Sequence, residues 1–434
     1  MQPSTDPAVD QARRTFEAAA KDIGLHEPGE LSVSRVPLHD LRRRRRRDLS
    51  AKTGAISLVE RNGLLNWHLG PMAPAGARDH RRFRVRPLGR TISQKEFVAL
   101  GQNEIGAYLE DLDRQLTPTW GLKQWDAAQQ RLVPVGTAAQ AGRILLFIHG
   151  TFSCAEHLFE EMRNSPNGGA FLARAVGHYD QILAFDHPTV SVSPMINAID
   201  LHRILAGSMA DIDLVCHSRG GLVARWWLEA FGGPAGARRA IFVGSPLAGT
   251  SLASPARLRA GLNVLANFSK LLGTATMAVP FMKAPAAILR VVGSVVGVTS
   301  RMPLVDAAIA MIPGLNGQSL VKNNAELSRL KQCPLNVTNY YFVVSDFEST
   351  SAGWNICKYI REAKIRGAET VVDMLVFPGK NDIVVDTDSM TGAAEIAIDP
   401  TRLLDFGTNG EVHHTNYFQN PRTLDFITRA FGIA

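Results

Sequence analysis

The stretch "DLVCHSRGGLVARWW", Asp213 to Trp227, decides how the rest of the chain is read. Its first half is a short apolar run that ends at His217. Its second half opens on Gly220-Gly221 and continues with helix-forming residues. Strand, tight turn and helix follow from that texture. Ser218 stands at the turn, in a near match to G-x-S-x-G with Cys216 in the first glycine's place. A serine hydroxyl is a poor nucleophile until a base removes its proton. A strained strand-to-helix turn with small neighbours exposes such a serine to substrate. The plainer reading is a chance S-x-G-G in an ordinary strand–helix loop. Cys216 is larger than glycine, yet unbranched and apolar, and suits packing against the helix.

Around this stretch, apolar runs alternate with helical segments. "ILLFIHG", "QILAFDHP", "IDLVCHS", "RAIFVGSP", "NYYFVVSDF" and "VDMLVFPG" read as strands, with helices such as Gly221–Phe231 and Trp354–Arg366 between them. Near-continuous Ile/Leu/Val/Phe strands suit a mostly parallel sheet buried on both faces, so residues 141–434 predict an α/β domain. One segment, 251–320, breaks the alternation. It is apolar with scattered small residues, and Lys283, Arg290, Arg301 and Asp306 interrupt it. It predicts an insertion of apolar helices, a lid over the ligand end of the sheet. No uncharged apolar run has the length of a membrane-spanning helix.

Residues 51–140 predict a β-rich N-terminal subdomain. "GAISLVERNGLLNWHLG" carries Asn62-Gly63 between two alternating runs, a hairpin signal. "RRFRVRPL" is a further strand candidate, "SQKEFVALGQNEIGAYLEDLDRQL" has helical periodicity, and "LKQWDAAQQRLVPV" reads as another hairpin. Residues 1–50 hold an amphipathic helix and six arginines, Arg42 to Arg47. So dense a run of like charge is a solvated segment, or one that contacts an anionic membrane or nucleic acid.

Lys+Arg total 47 against Asp+Glu 40, a net charge of +7 that is modest for 434 residues and predicts no specific nucleic-acid partner. The four cysteines, Cys154, Cys216, Cys333 and Cys357, have irregular spacing, which suits neither a zinc site nor a disulfide framework. The N-terminus lacks the apolar core of a signal peptide, and a cytoplasmic location is expected.

Three other motifs complete a reactive set. "LLFIHGTFS" ends a strand at His149-Gly150, where acyl transfer needs an N–H aimed at the developing oxyanion. Thr151, or alternatively Phe152, would supply it together with the amide of Arg219. "VDMLVFPGKNDIVVDTDSM" offers Asp382 directly after a strand end and turn, with Asp386 second and Asp388 and Asp346 as competitors. "EVHHTNYF" offers His413 or His414 as base, and His217 reads as support for the turn. The order Ser, Asp, His is the one that a nucleophile-elbow hydrolase requires.

Taken together, "FIHGTFS", "VCHSRGG", "GSPLAGT", "GKNDIVV" and "HHTNYF" resemble α/β-hydrolase-fold serine lipases and esterases, of the triacylglycerol-lipase and PGAP1-like kind. The resemblance covers residues 140–434. It implies Ser218 as nucleophile, Asp382 as acid, a histidine of "HHTNYF" as base, and an oxyanion donor just after His149-Gly150, which supports Thr151. His414 is preferred because it lies nearer the "TNYF" that resembles the family's histidine loop. Cys216 and the paired histidines are the departures. The expectation is a serine esterase or lipase acting on lipid or other apolar acyl esters, without metal or organic cofactor. A catalytically silent binding module and an anionic-surface binder are the alternatives.

Overall fold

The computed structural model describes residues 6–33, 53–61, 63–71, 89–234, 236, 238–253, 258–269, 275–296, 312–320, 324–333, 340–348, 380–392 and 398–433. The six-arginine run, the strands expected at "RRFRVRPL" and "VDMLVFPG", the helix expected at Trp354–Arg366 and residues 297–311 of the insertion lie outside them.

The chain forms two compact units, the first from residues 1–112, 258–311 and 358–374, the second from 113–257, 312–357 and 375–434. In the first, β1 (Thr53–Arg61), β2 (Leu64–Pro71) and β3 (Arg90–Val98) make an antiparallel sheet in the order β2-β1-β3. Gly63, at φ +79°, closes the expected β1–β2 hairpin. The helix Pro7–Ala20 and the insertion helices Leu258–Ser269 and Ala275–Val296 complete this unit. The edge strand β2 is covered by side chains of one insertion helix. Leu65 N–H donates to Asn267 Oδ1 at 2.8 Å, and Trp67 N–H to Asn263 Oδ1 at 2.7 Å. Residues 278–295 have the length and apolarity of a membrane span, but most of them are buried. Within this helix Lys283 pairs with Asp22, and Arg290 donates to the Ile23 carbonyl.

In the second unit, β4 (Gly121–Asp126), β5 (Arg131–Val135), β6 (Arg143–Ile148), β7 (Gln181–Asp186), β8 (Asp211–His217), β9 (Arg238–Val243), β10 (Tyr340–Phe347) and β11 (Leu403–Asn409) form one sheet. It has eight strands in the order β11-β10-β9-β8-β6-β7-β4-β5. All neighbours from β7 to β11 are parallel, whereas β4 is antiparallel to β5 and β7. This is the mixed α/β class with a mostly parallel sheet that the alternation predicts. Side chains split by parity between two cores. Ile144, Leu146, Ile148, Leu214 and Cys216 meet helices Pro194–Ile204 and Gly220–Arg225 on one face. Leu145, Phe147 and Val215 meet helices Ala155–Arg163, Pro166–His178 and Pro421–Phe431 on the other. Each such buried side chain contributes about 1.5–3 kcal/mol relative to exposure.

Several expectations need correction. The boundary at residue 140 moves to Leu112/Asp113, because the β4–β5 hairpin hydrogen-bonds to β7 in the large sheet. The segment 251–320 is not one element of the α/β domain. Residues 258–311 group with the N-terminal unit, while 251–253 and 312–320 stay in the second. "SQKEFV" is strand β3 rather than helix, which begins at Ile105. Strand β11 was not foreseen.

Candidate active site

The chain passes from β6 to β7 on one side, then crosses to β8 on the other. Between β6 and β8 the strand order therefore reverses, and in open α/β sheets ligands bind at the carboxyl ends of the strands at such a point. His149-Gly150-Thr151 leaves β6 there, and Ser218 leaves β8.

Among the described residues, four non-glycine residues have φ in the left-handed region: Gln130 (50°), Phe152 (56°), Ser218 (54°) and Ile383 (88°). Such conformations cost of order 1–3 kcal/mol and persist only where surrounding contacts impose them. Three of the four lie in or beside the loops singled out from the sequence. At Ser218 the imposed contacts are visible. Its N–H donates to the Val243 carbonyl at 2.9 Å, and its own carbonyl accepts from Gly221 N–H at 3.0 Å. A Cβ at Gly220 would lie 2.3 Å from the Ile148 carbonyl oxygen, and one at Gly221 2.4 Å from Ser245 Oγ. The close approach is thus on the helix side. On the strand side Cys216 is fully buried in the core, where burial pushes its thiol up. A Cβ at Gly150 would lie 2.7 Å from Ser218 Cβ, so the β6 loop passes directly over the serine.

The amides of Thr151 and Arg219 make no hydrogen bond among the described residues. The amide of Phe152, the alternative donor, is already given to Thr189 Oγ1 at 3.2 Å. Arg219 turns its guanidinium inward, where it donates to the Val192 carbonyl at 2.8 Å and to Asn197 Oδ1 at 2.7 Å. Burial lowers this cation to about 10. His149 donates from Nδ1 to the Gly150 carbonyl, accepts from His187 N–H at Nε2, and stacks on the His187 ring at 4.1 Å. Burial drives His149 down to about 3, so it is a neutral brace for the loop.

Of the acidic candidates, Asp382 meets a histidine. Its Oδ2 lies 2.8 Å from His414 Nδ1 and accepts from the Tyr417 hydroxyl at 3.0 Å. Its Oδ1 accepts from the amides of Val384 (3.1 Å) and Val385 (2.8 Å). Gly244 admits this pairing, since a Cβ there would lie 3.0 Å from Asp382 Oδ2 and 2.7 Å from Tyr417 Cε2. Asp386 binds Ser251, and Asp346 binds Thr408 and the Asn381 amide. His413 packs on Phe347 and is driven to about 4 by burial. His217 Nε2 donates to the His414 carbonyl at 2.9 Å, and burial, followed by the nearby His414, lowers it to about 3. It therefore holds the backbone of the histidine loop. No hydrogen bond joins Ser218 Oγ to His414 Nε2 among the described residues.

Two supports were not read from the sequence. Asp113, fully buried, accepts the amides of Thr189 (2.7 Å), Val190 (2.9 Å) and Ser191 (2.6 Å) and so shapes the loop after β7. Glu161 accepts Phe418 N–H at 3.0 Å beneath the histidine loop. Neither belongs to a short motif; both act across long sequence separations. Among the described residues no group of three or more His, Cys, Asp or Glu is placed to hold a metal ion.

A search of curated proteins finds no match. Solved structures that resemble this one include a Bacillus licheniformis lipase, BlEst2, in its mature form, at 15% identity and TM-score 0.39, covering 71% of this chain and 96% of that one. Lipase 1 from Pelosinus fermentans is similar at 13% identity and TM-score 0.38, covering 67% and 98%. The carboxylesterase CesB from Bacillus subtilis is similar at 10% identity and TM-score 0.31, covering 76% and 98%. A family model described as a domain of unknown function, DUF7379, matches residues 114–432, a span that holds Thr151, Ser218, Arg219, Asp382 and His414. The chain belongs to the DUF7379 family.

Proposed function

We propose that this protein is a serine hydrolase that cleaves carboxylic esters through an acyl-enzyme. The observation that carries this reading is Ser218 at φ +54° on the β8 turn, at the same end of the sheet as the Asp382–His414 pair at 2.8 Å. Ser218 Oγ attacks the ester carbonyl carbon while His414 Nε2 takes its proton. Asp382 holds His414 by Nδ1–H, which leaves Nε2 as the lone-pair nitrogen and stabilises the imidazolium. The oxyanion is met by the amides of Thr151 and Arg219, neither of which is hydrogen-bonded among the described residues. His414 then returns the proton to the leaving alkoxide, and water releases the acid by the same steps. The reading requires the serine–histidine hydrogen bond to form in the substrate complex, where catalytic contacts that are loose in free enzymes close up.

The insertion helices were expected to favour lipid acyl chains. Helix Ala275–Val296 buries most of its apolar residues, with Pro7–Ala20, Leu258–Ser269 and β1 as packing partners in the first unit, which already accounts for its composition. We therefore place the reaction at carboxylic esters in general; a chain-length series of p-nitrophenyl esters reads the acyl preference. A fluorophosphonate probe should label the wild type and fail on Ser218→Ala, with kcat falling about 10⁴-fold or more. Labelling that survives the substitution overturns the assignment. A wild type that neither labels nor turns over esters supports the silent binding module instead.

A further inference from the structure

Thr151 and Phe152 form a turn just past the end of β6. Phe152 is at φ +56°, and nothing in the β6 ladder reaches past Ile148. Two tethers from outside the loop hold the pair. Phe152 N–H donates to Thr189 Oγ1 at 3.2 Å, and Thr151 Oγ1 donates to Gln318 Oε1 at 3.0 Å. Gln318 is buried, and its own freedom is gone. Its Nε2 donates to the Gly314 carbonyl at 3.1 Å, and its backbone carbonyl accepts from Thr250 N–H at 2.9 Å. The same segment, residues 312–320, braces the other tether. Gly314 N–H donates to the Val190 carbonyl at 3.0 Å, and a Cβ at Gly314 would lie 2.0 Å from the Thr189 carbonyl oxygen. Both anchors of the β6 loop therefore lean on one stretch of chain, and Gln318 holds the side chain of Thr151, whose backbone amide makes no hydrogen bond among the described residues.

We propose that Gln318 is a positioning residue for the oxyanion donor Thr151, an inference that rests on the serine-hydrolase reading. An oxyanion donor works within a few tenths of an ångström of 2.7–3.1 Å from the developing charge. With its hydroxyl held by Gln318, Thr151 cannot swing its amide away from that point. The substrate carbonyl takes its place without having to order the loop, so the benefit appears in the transition state rather than in ground-state binding.

The test is a double-mutant cycle on p-nitrophenyl ester turnover, with Gln318→Met, which removes the amide acceptor and keeps the volume, and Thr151→Val, which removes the hydroxyl donor. Each single variant should lower kcat by about 10- to 100-fold with KM within about twofold. The double variant should be no slower than the slower single, because both substitutions break one tether. Losses that multiply in the double variant, or a Gln318→Met enzyme with wild-type kcat, overturn the positioning role. Fluorophosphonate labelling of the same four proteins separates the two levels. Labelled wild type with multiplying losses refutes only the role of Gln318. Unlabelled, inactive wild type refutes the hydrolase reading and this inference with it. Thr151→Val guards against misfolding of the methionine variant, since it breaks the same tether while the Gln318–Gly314 bond stays in place; a valine enzyme with wild-type kcat overturns the role by itself.

Discussion

Glu161 makes a measurable pH signature of the support under the histidine loop. It lies on the helix Ala155–Arg163, is 7% exposed, and accepts Phe418 N–H. Burial raises it to about 8, although the amides of Phe418 and Gln419 pull the other way. In the unfolded chain a glutamate titrates near 4.3. Between those two values the folded state keeps a proton that the unfolded state has lost, so stability must fall as pH rises through this window. Below it the group is protonated in both states and contributes no slope. At about 1.36 kcal/mol per pH unit, the loss between pH 5 and pH 8 is on the order of 4 kcal/mol. That is a large share of a typical stability of about 5–15 kcal/mol. Buried histidines act in the opposite sense. His149 and His217, both lowered to about 3, make stability rise with pH up to the unfolded histidine value. The informative quantity is therefore a difference. Glu161→Gln keeps the acceptor for Phe418 and removes the titration. Urea unfolding at pH 5, 6, 7 and 8 should show the wild type losing stability relative to Glu161→Gln, steadily from pH 5 to pH 8. Parallel pH profiles for the two proteins would refute the reasoning.

Two other substitutions test the geometry. Gly244→Ala adds a Cβ 3.0 Å from Asp382 Oδ2 and 2.7 Å from Tyr417 Cε2 at a backbone with φ +53°. It should cost about 2–4 kcal/mol in urea unfolding and reduce kcat about 100-fold by displacing the carboxylate; an alanine variant with wild-type kcat would be inconsistent with the Asp382 role. Cys216→Gly should keep kcat within about threefold while losing about 1–2 kcal/mol of stability, because the thiol fills core space on the strand side and the tight contacts belong to Gly220 and Gly221.

Much of the second unit was legible because its central strands are apolar on both faces, and each motif sits where a strand ends. The alternative candidates have partners that no spacing reveals: Ser251 engages Asp386, Phe347 packs on His413, and Thr189 takes the amide of Phe152. Strand β3 was misread because Lys95 and Glu96 look like the polar face of a helix. Both are buried in the strand, Lys95 against Glu27 and Glu96 against the Gly29 amide. Strand β11 was missed because it is an edge strand, mostly half-exposed, with Asp405 and Gly407 interrupting its apolar run. The strain at Phe152 and Ile383 left no mark in residue type, since a phenylalanine or isoleucine at positive φ is held there by its surroundings.

The asparagines that cover β2 also set an order for synthesis. Leu65 and Trp67 leave the ribosome about 200 residues ahead of Asn263 and Asn267, which satisfy their amides. At translation speeds of about 5–20 residues per second, the strand edge waits roughly 10–40 seconds for its cover. Throughout that interval a nascent chain presents an open, apolar hairpin edge. Expression yield, more than the stability of the finished protein, should depend on what shields that edge while the ribosome is still reading the middle of the message.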